Sequence, residues 1–518
     1  MSKRTVCGLV LACAIAAAVA GEGKAPGAAS APASGPRLEL TRHFEKLLAA
    51  HPGKADQPWC FGVVADPHIY MYNWSDGILA NCLRGWVAAK ASFGVPVGDL
   101  GTGKSLRPDG KDGKQTRQMD KFAQTIASVK GCPPVLMSMG NHELDGDGKK
   151  AWLDALYPGV VTGVTGSGND RHFYYSYDYR GCHFVSLDAN CIRTGKGGRR
   201  VELGVLPDEE LAWLEKDLTA NKGKLTFIFL HEPIEQVHYD TPYYLLKNRG
   251  RLIGMLKRFP DVKWIFHGHL HYDDHVKAWG LNIVHVSMGN LVVQVEGQTA
   301  RLCRVDRKGK ITANPKKPYD LGAELARRRT VEKGQVVYRI AEERLEPAGR
   351  TCTLKKHVSL VGAEDGVEPT RGKTMMKVNR KLGKRGRNSF THLYRFLSTW
   401  DVIPIVKGMK FSYDVRCKDS VYDNLAIQLR IVMPAGRKRP RLKDANGILM
   451  ENVGQYHSPS LKGKADEGWY RREVDLSDLA GGWIDMITLF ATRPNGAPYG
   501  DGELKIYLDD IKFTWPAE

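Results

Sequence analysis

The sequence predicts an α/β layered domain over residues 58–305, followed by an all-β sandwich over 351–518. Three observations carry that prediction. Apolar strand-like runs alternate with helical patterns in the first part, as expected of a sheet covered by helices. After about residue 351 the texture turns to short β-type runs broken by Gly, Asn and Asp, with no long helical period. The 518 residues are 42% hydrophobic, 9% aromatic and 26% charged, which excludes collagen-like, coiled-coil and wholly disordered chains.

In chain order, Met1-Ser2-Lys3-Arg4 precede an apolar run from Val6 to Ala20 and then Gly21-Glu22-Gly23. That is the pattern of a cleaved export signal over 1–20, with Ala18-Val19-Ala20 as the small-residue cleavage site. The run is shorter than the roughly 20 residues a membrane-spanning helix needs. A lipoprotein signal with Cys13 as the lipidated residue is the rival, but the stretch before Cys13 is short and Val10-Leu11-Ala12 matches poorly. Residues 21–37 are mostly Ala, Gly, Ser and Pro, a flexible spacer. The expected location is periplasmic, secreted or cell-surface. Signal removal would leave eight of the ten cysteines, an even number that an oxidising compartment could pair. Their spacing is irregular and lacks a C-x-x-C pair, so buried thiols explain them at least as well.

Strands are expected at 59–65, 133–139, 183–187, 225–230, 262–266 and 281–286. A helix is expected over 206–215, where Pro207 and the acids Asp208, Glu209 and Glu210 open a run with Leu and Trp at helical spacing. Residues 306–350, with Arg327-Arg328-Arg329 and Glu342-Glu343, read as a charged connector with room for one helix. The sandwich strands are expected at 410–416, 425–432, 469–476, 484–490 and 504–515.

The net charge of +19 is unevenly spread. Residues 1–300 carry 34 basic and 30 acidic groups, 301–450 carry 35 and 15, and 451–518 carry 7 and 12. Much of the middle excess sits in 381–387 and 437–441, which read as solvated hairpin loops or as contacts for an acidic polymer. No nucleic-acid fold signature accompanies them, so a nucleic-acid partner is not expected.

Polar residues able to hold metal stand where apolar runs stop: Asp66-Pro67-His68, Gly98-Asp99, Gly140-Asn141-His142-Glu143, His231-Glu232-Pro233 and Gly268-His269-Leu270-His271. Loops at strand ends are held rigidly yet remain open to solvent, which suits a site. Any one piece is weak, since an Asp after a strand is commonly a helix cap. Five pieces in order are hard to obtain by accident. Carboxylate, imidazole and amide ligands without thiolates suit Mn²⁺, Fe or Zn²⁺, and the sequence does not choose among them.

These motifs resemble the calcineurin-like metallophosphoesterases, whose pattern is D-x-H, G-D, G-N-H-[DE], a lone H and G-H-x-H, over residues 59–290. The resemblance implies a four-layer αββα sandwich and two divalent ions. By the same resemblance Asp66, His68 and His271 would hold one ion, Asn141, His231 and His269 the other, and Asp99 would bridge them. It further implies attack of a metal-bridging hydroxide at phosphorus, with His142 outside both ion spheres to protonate the leaving alkoxide. Where many relatives carry an acid or amide to orient that histidine, this chain has Thr102, which puts the role of His142 in question. The second motif also lacks the Gly-Asp-x-x-Tyr of purple acid phosphatases.

Lys104, Arg107, Lys111, Lys114 and Arg117 follow the bridging Asp99 and could meet phosphate, although a solvated loop is the simpler reading. The segment 237–244 after His231 could form an aromatic lid or be ordinary packing. The strand entered through Pro404 and Gly408, with the final Asp509-Asp510-Ile511 strand, resembles a galactose-binding jelly roll of carbohydrate-binding modules. That implies a glycan or acidic-polymer ligand without naming a residue for it. Trp469, Trp483 and Tyr499 are candidates for stacking on sugars, and core packing is the simpler account. The leading expectation is an exported metal-dependent hydrolase of phosphate mono- or diesters. The rival is a non-catalytic envelope or polysaccharide-binding protein that keeps the same fold as a scaffold.

Overall fold

The computed structural model describes residues 57–69, 75–101, 118–144, 165–166, 173–195, 198–235, 244–306, 308–314, 317–340, 358–381, 391–395, 402–417, 425–433, 436–438, 441–450, 461, 463–491 and 503–517. In chain order the α/β part carries β1 (Trp59–Val64), α1 (Ser75–Ala88), β2 (Gly94–Pro96), α2 (Gln118–Ser128), β3 (Thr165–Gly166), β4 (Tyr175–Tyr179), β5 (Cys182–Ser186), β6 (Cys191–Gly195), β7 (Gly198–Glu202), α3 (Asp208–Ala220), β8 (Thr226–Phe229), α4 (Arg249–Leu256), β9 (Val262–His267), β10 (Asp274–Ala278), β11 (Leu281–His285), β12 (Leu291–Glu296), β13 (Thr299–Val305), β14 (Ile311–Ala313), β15 (Tyr319–Asp320) and α5 (Leu321–Ala326). One sheet runs β14-β13-β12-β1-β2 and the other β15-β10-β11-β9-β8-β5-β4-β3; β6 and β7 form a separate hairpin.

The two sheets face each other across an aromatic core. Phe61 of β1 stacks on Phe93 at 5.2 Å and meets Phe184 and Phe227 of the other sheet edge-on at 5.5 and 5.2 Å. Side chains alternate along a strand, so Gly62 points the other way, toward α1. A Cβ at Gly62 or Gly94 would fall on the indole of Trp86. The two glycines form a slot for this fully buried ring, whose Nε1–H donates to the Leu291 carbonyl at 3.2 Å. On the outer face of the second sheet, Leu211, Leu214 and Leu218 of α3 and Leu252, Ile253 and Leu256 of α4 bury against Val185, Ile228 and Ile265. Layers of helix, sheet, sheet and helix result, the αββα arrangement expected above.

Differences from the sequence reading have local causes. The run 133–139 is not a regular strand; it touches β2 through isolated bridges at Gly94↔Val135 and Val97↔Ser138. Gly94 exchanges hydrogen bonds with Pro134 and Leu136, and Pro96 accepts from Ser138, but Pro96 has no N–H to give back, so the ladder breaks. The helix expected at 206–215 begins at Asp208 after Pro207 and runs on to Ala220. The stretch 306–350, expected as a charged connector, contributes β14 and β15 to the two α/β sheets. Its strands Arg329–Glu332 and Gln335–Arg339 extend a sheet of the C-terminal part.

That part is all β among the described residues apart from one 3₁₀ turn. A seven-stranded sheet centred on Glu503–Pro516 faces a five-stranded sheet centred on Trp483–Ala491, around a core including Phe411, Ile427, Ile487 and Phe513. Trp483 is buried and Trp469 half-buried, with its indole N–H donating to the Glu368 carbonyl at 2.8 Å. Tyr499 lies outside the described residues, as do 382–387, Arg439 and Pro440; Gly436–Lys438 is a hairpin strand paired with Leu425–Met433. Cys60, Cys82, Cys132, Cys182, Cys303 and Cys417 are free thiols. No described helix is long and apolar enough to cross a membrane.

Candidate metal centre

The carboxyl-side ends of β1, β2, β8 and β9 converge on one spot. Asp66, His68, Asp99 and His271 place one ligand atom each within 4.8 Å of one another, and Asp99, His231 and His269 form a second such group. Asp99 belongs to both. His68 Nε2 faces His271 Nε2 at 3.0 Å, and His231 Nε2 faces His269 Nδ1 at 3.2 Å. Carboxylate oxygens surround these nitrogens: Asp99 Oδ2 lies 3.1 Å from His231 Nε2 and 3.8 Å from His68 Nε2, and Asp66 Oδ1 lies 3.5 Å from His271 Nε2.

The backbone is bent to achieve this. Asp66, Asp99, His68, His269 and His271 all have φ between +42° and +71°, a region that non-glycine residues rarely occupy. Such conformations cost free energy and persist where surrounding structure over-determines them. Here the bonds are visible. The His269 amide donates to both Asp66 carboxylate oxygens at 3.0 Å, and the His142 amide donates to Asp99 Oδ1 at 2.9 Å. At Gly140 a Cβ would strike the Asp99 carboxylate and amide, so only glycine lets the third motif close on the second.

Glu143 supplies a support that the sequence reading did not identify. Fully buried, it accepts from the amides of Asp99 (2.9 Å), Leu100 (2.8 Å) and Gly140 (2.6 Å), pinning the two loops together. The only sequence signal was an acid directly after Asn141-His142. Tyr244 was visible only as the end of an aromatic stretch; its ring stands edge-on to His269 at 5.0 Å and is 42% exposed at the rim.

The remaining expected residues fall into place around the cluster. His142 opens a 3₁₀ turn (His142–Leu144), with Nε2 3.9 Å from Asp99 Oδ2 and a third of its side chain exposed. Asn141 lies between Gly140 and His142, both anchored as above, and its Oδ1 is buried without a hydrogen-bond partner among the described residues. Thr102, Lys104, Arg107, Lys111, Lys114, Arg117 and 237–243 lie outside the described residues. His267 and Asp273 hold strand ends instead of joining the cluster: His267 Nδ1 bonds the Leu230 carbonyl, and Asp273 accepts from the Ser287 amide and from Arg304.

This donor set fits divalent cations. His231 bonds the Val97 carbonyl through Nδ1 at 2.8 Å, which turns Nε2 toward the cluster, where it offers a lone pair once its proton is displaced. Burial lowers His68 to about 4 and His269 to about 3, against the opposing pull of Asp99, which keeps both imidazoles neutral and able to ligate. For Asp99, burial works upward but the neighbouring His231, His142 and His68 outweigh it and hold the carboxyl below its ordinary range. Imidazole nitrogens set face to face, a shared carboxylate and an orphaned buried amide oxygen form a donor set that positive charge between them would satisfy.

Residues 61–273 match the family model of the calcineurin-like phosphoesterases. The α/β domain is a calcineurin-like phosphoesterase domain. A curated relative, a glycerophosphodiester phosphodiesterase of Enterobacter lignolyticus (strain SCF1), is 29% identical over 139 residues, which is 27% of this chain. The match spans 45% of that relative's length. Among solved structures, a dimetal phosphatase from Danio rerio is 19% identical with a TM-score of 0.38, covering 48% of this chain and 96% of that one. A purple acid phosphatase from yellow lupin seeds (Lupinus luteus) is 15% identical with a TM-score of 0.37, covering 51% and 54%. Both scores lie below 0.5, so the assignment rests on the family match.

Proposed function

We propose that the protein is an exported, metal-dependent phosphoesterase that hydrolyses phosphate mono- or diesters. The observation that carries this reading is the convergence of Asp66, His68, Asp99, His231, His269 and His271 into two ligand groups that share one carboxylate. Asp66, His68 and His271 would hold one ion, His231, His269 and Asn141 the other, with Asp99 common to both. Bound divalent ions supply Lewis-acid charge for the phosphoryl oxygens and acidify water near neutral pH. The chain's own residues do the rest. Asp99 and Asp66 would offset the charge of the cations, the glycine-tight loops hold the candidate ligands in place, and Glu143 fixes the loop that carries Asp99. His142, at the exposed rim with its amide tied to Asp99, stands where its Nε2 can give a proton to a departing alkoxide. Export is supported by the pattern of residues 1–20. The name of the curated relative puts glycerophosphodiesters first in the substrate panel.

The test is turnover of bis-(p-nitrophenyl) phosphate and p-nitrophenyl phosphate with added Mn²⁺, by wild type and Asp99→Asn. The substitution should cost more than the ~10–100-fold lost when a residue that merely supports a ligand is removed. Equal rates in the two proteins would refute the reading.

A further inference from the structure

The β-sandwich grips the α/β domain beside the turn that carries His231. The first residue of α4, Arg249, is fully buried, and its guanidinium donates to two carbonyls, Ile234 at 2.9 Å and Asp485 at 3.0 Å. Ile234 lies in the turn 231–235 after β8, three residues beyond His231. Asp485 lies in the sandwich strand Trp483–Ala491, where its carboxylate takes both arms of Arg430 at 2.5 and 2.8 Å. A Cβ at the next residue, Gly250, would stand 2.5 Å from the Trp483 indole. Trp483, Val402 and Val432 of the sandwich share one apolar core with Ile234, Leu252 and Ile253. The turn is tied a second time by the Leu246 amide, which donates to the Pro233 carbonyl at 2.9 Å.

We propose that Arg249 is a positioning residue for the His231 turn, and that the sandwich is thereby a working part of the metal centre and not an appended module. A guanidinium presents its donors in a rigid plane, so two carbonyls bonded to it are held at a set separation. One of those carbonyls belongs to the sandwich and the other to the ligand-bearing turn. A buried guanidinium that lost either acceptor would carry an unsatisfied donor, which makes the three-part contact cooperative. The Trp483–Gly250 contact leaves no slack for the strand to shift along α4. The neighbourhood of His231 therefore depends on a domain that supplies no ligand. This inference rests on the two-ion reading above.

The experiment is a Mn²⁺ titration of the full chain, followed by calorimetry, on wild type, Arg249→Gln, Trp483→Ala and Val474→Ala. Val474 sits in the sandwich's own core and serves as a control for lost stability. Wild type should bind two equivalents. Arg249→Gln and Trp483→Ala should bind one of the two about 10–100-fold more weakly, the usual cost of removing a ligand's support, while Val474→Ala keeps both affinities despite its lower unfolding midpoint. Arg249→Lys, a point donor unable to span both carbonyls, should lie between wild type and Arg249→Gln. If Arg249→Gln or Trp483→Ala does not fold, Arg249→Lys and Trp483→Phe decide the question by the same isotherm. Folded variants with wild-type isotherms, or a control that weakens as much as they do, would overturn the role of Arg249 alone. A wild type that binds no Mn²⁺ would overturn the two-ion reading and this inference with it.

Discussion

Asp66 Oδ1 and His231 Nε2 stand 3.9 Å apart beside the shared Asp99, and without a cation the charges here are balanced by protons. Burial pushes the Asp66 carboxyl well above the usual range, with His231 opposing. Burial favours the neutral form of His231, but Asp99 and Asp66 outweigh it and raise its pKa well above the ordinary histidine value. Ligands must be deprotonated to bind, so a cation entering this cluster has to expel those protons. Ion affinity should therefore rise with pH, with net proton release on binding. Calorimetry in buffers of different ionisation enthalpy measures that release, and zero or negative values would contradict it. At this scale the sequence was most informative. Aspartate, histidine and asparagine at the ends of apolar runs, with Asp99, Asn141 and His269 directly after a glycine, marked the candidate ligands, because metal chemistry restricts residue type as well as position. The left-handed backbone at Asp66, His68, Asp99, His269 and His271 was hidden, since a one-letter string records side chains and not dihedrals. Glu143 was hidden for a related reason, because its bonds go to main-chain amides that look alike in any sequence.

The strands were legible where apolar runs are long and continuous, as in β1, β8 and β9, because both faces of these central strands are covered. The run 133–139 was misleading because its apolar pattern matches a strand while the residue opposite, Pro96, cannot complete the pairing. Toward the edge of the second sheet a buried polar clamp is added to apolar packing. His183 of β5 bonds Asp178 of β4 through Nδ1 and Asp217 of α3 through Nε2, each at 2.8 Å, and is almost wholly enclosed. Burial favours neutral imidazole, but the two carboxylates outweigh it and raise the pKa above 6.5. A group with a raised folded pKa contributes stability that is present below its unfolded pKa and is lost as pH rises through the folded value. Unfolding free energy from urea titration should thus fall by roughly 1–2 kcal/mol between pH 6 and the alkaline side of the raised pKa, the half-exposed Asp178 giving the smaller share. His183→Gln should remove that slope, and a variant with the wild-type slope would show that the clamp is not its source.

For the molecule as a whole, binding to the native state alone adds stability by mass action, about 2.7 kcal/mol for each ion at 100 times its dissociation constant. Saturating Mn²⁺ should raise the unfolding midpoint, and chelator should lower it to a single metal-free value; an unchanged midpoint would mean that no ion binds the native fold. The two-part plan of an α/β domain followed by a β-sandwich could be read from texture alone, because helical and strand periods differ. How the parts meet could not. Arg249 and Gly250 stand more than two hundred positions from Trp483 and share no pattern with it that a single sequence would expose. The candidate ligands come from both sheets: Asp66 and Asp99 follow β1 and β2, while His231, His269 and His271 follow β8 and β9. A pair of cations seated there would act as rivets through two stacked plates. Stripped of them, the plates would be left with their greasy adhesion and with bonds across the seam such as His269 to Asp66 and His231 to Val97, at the very place the rivets would pass.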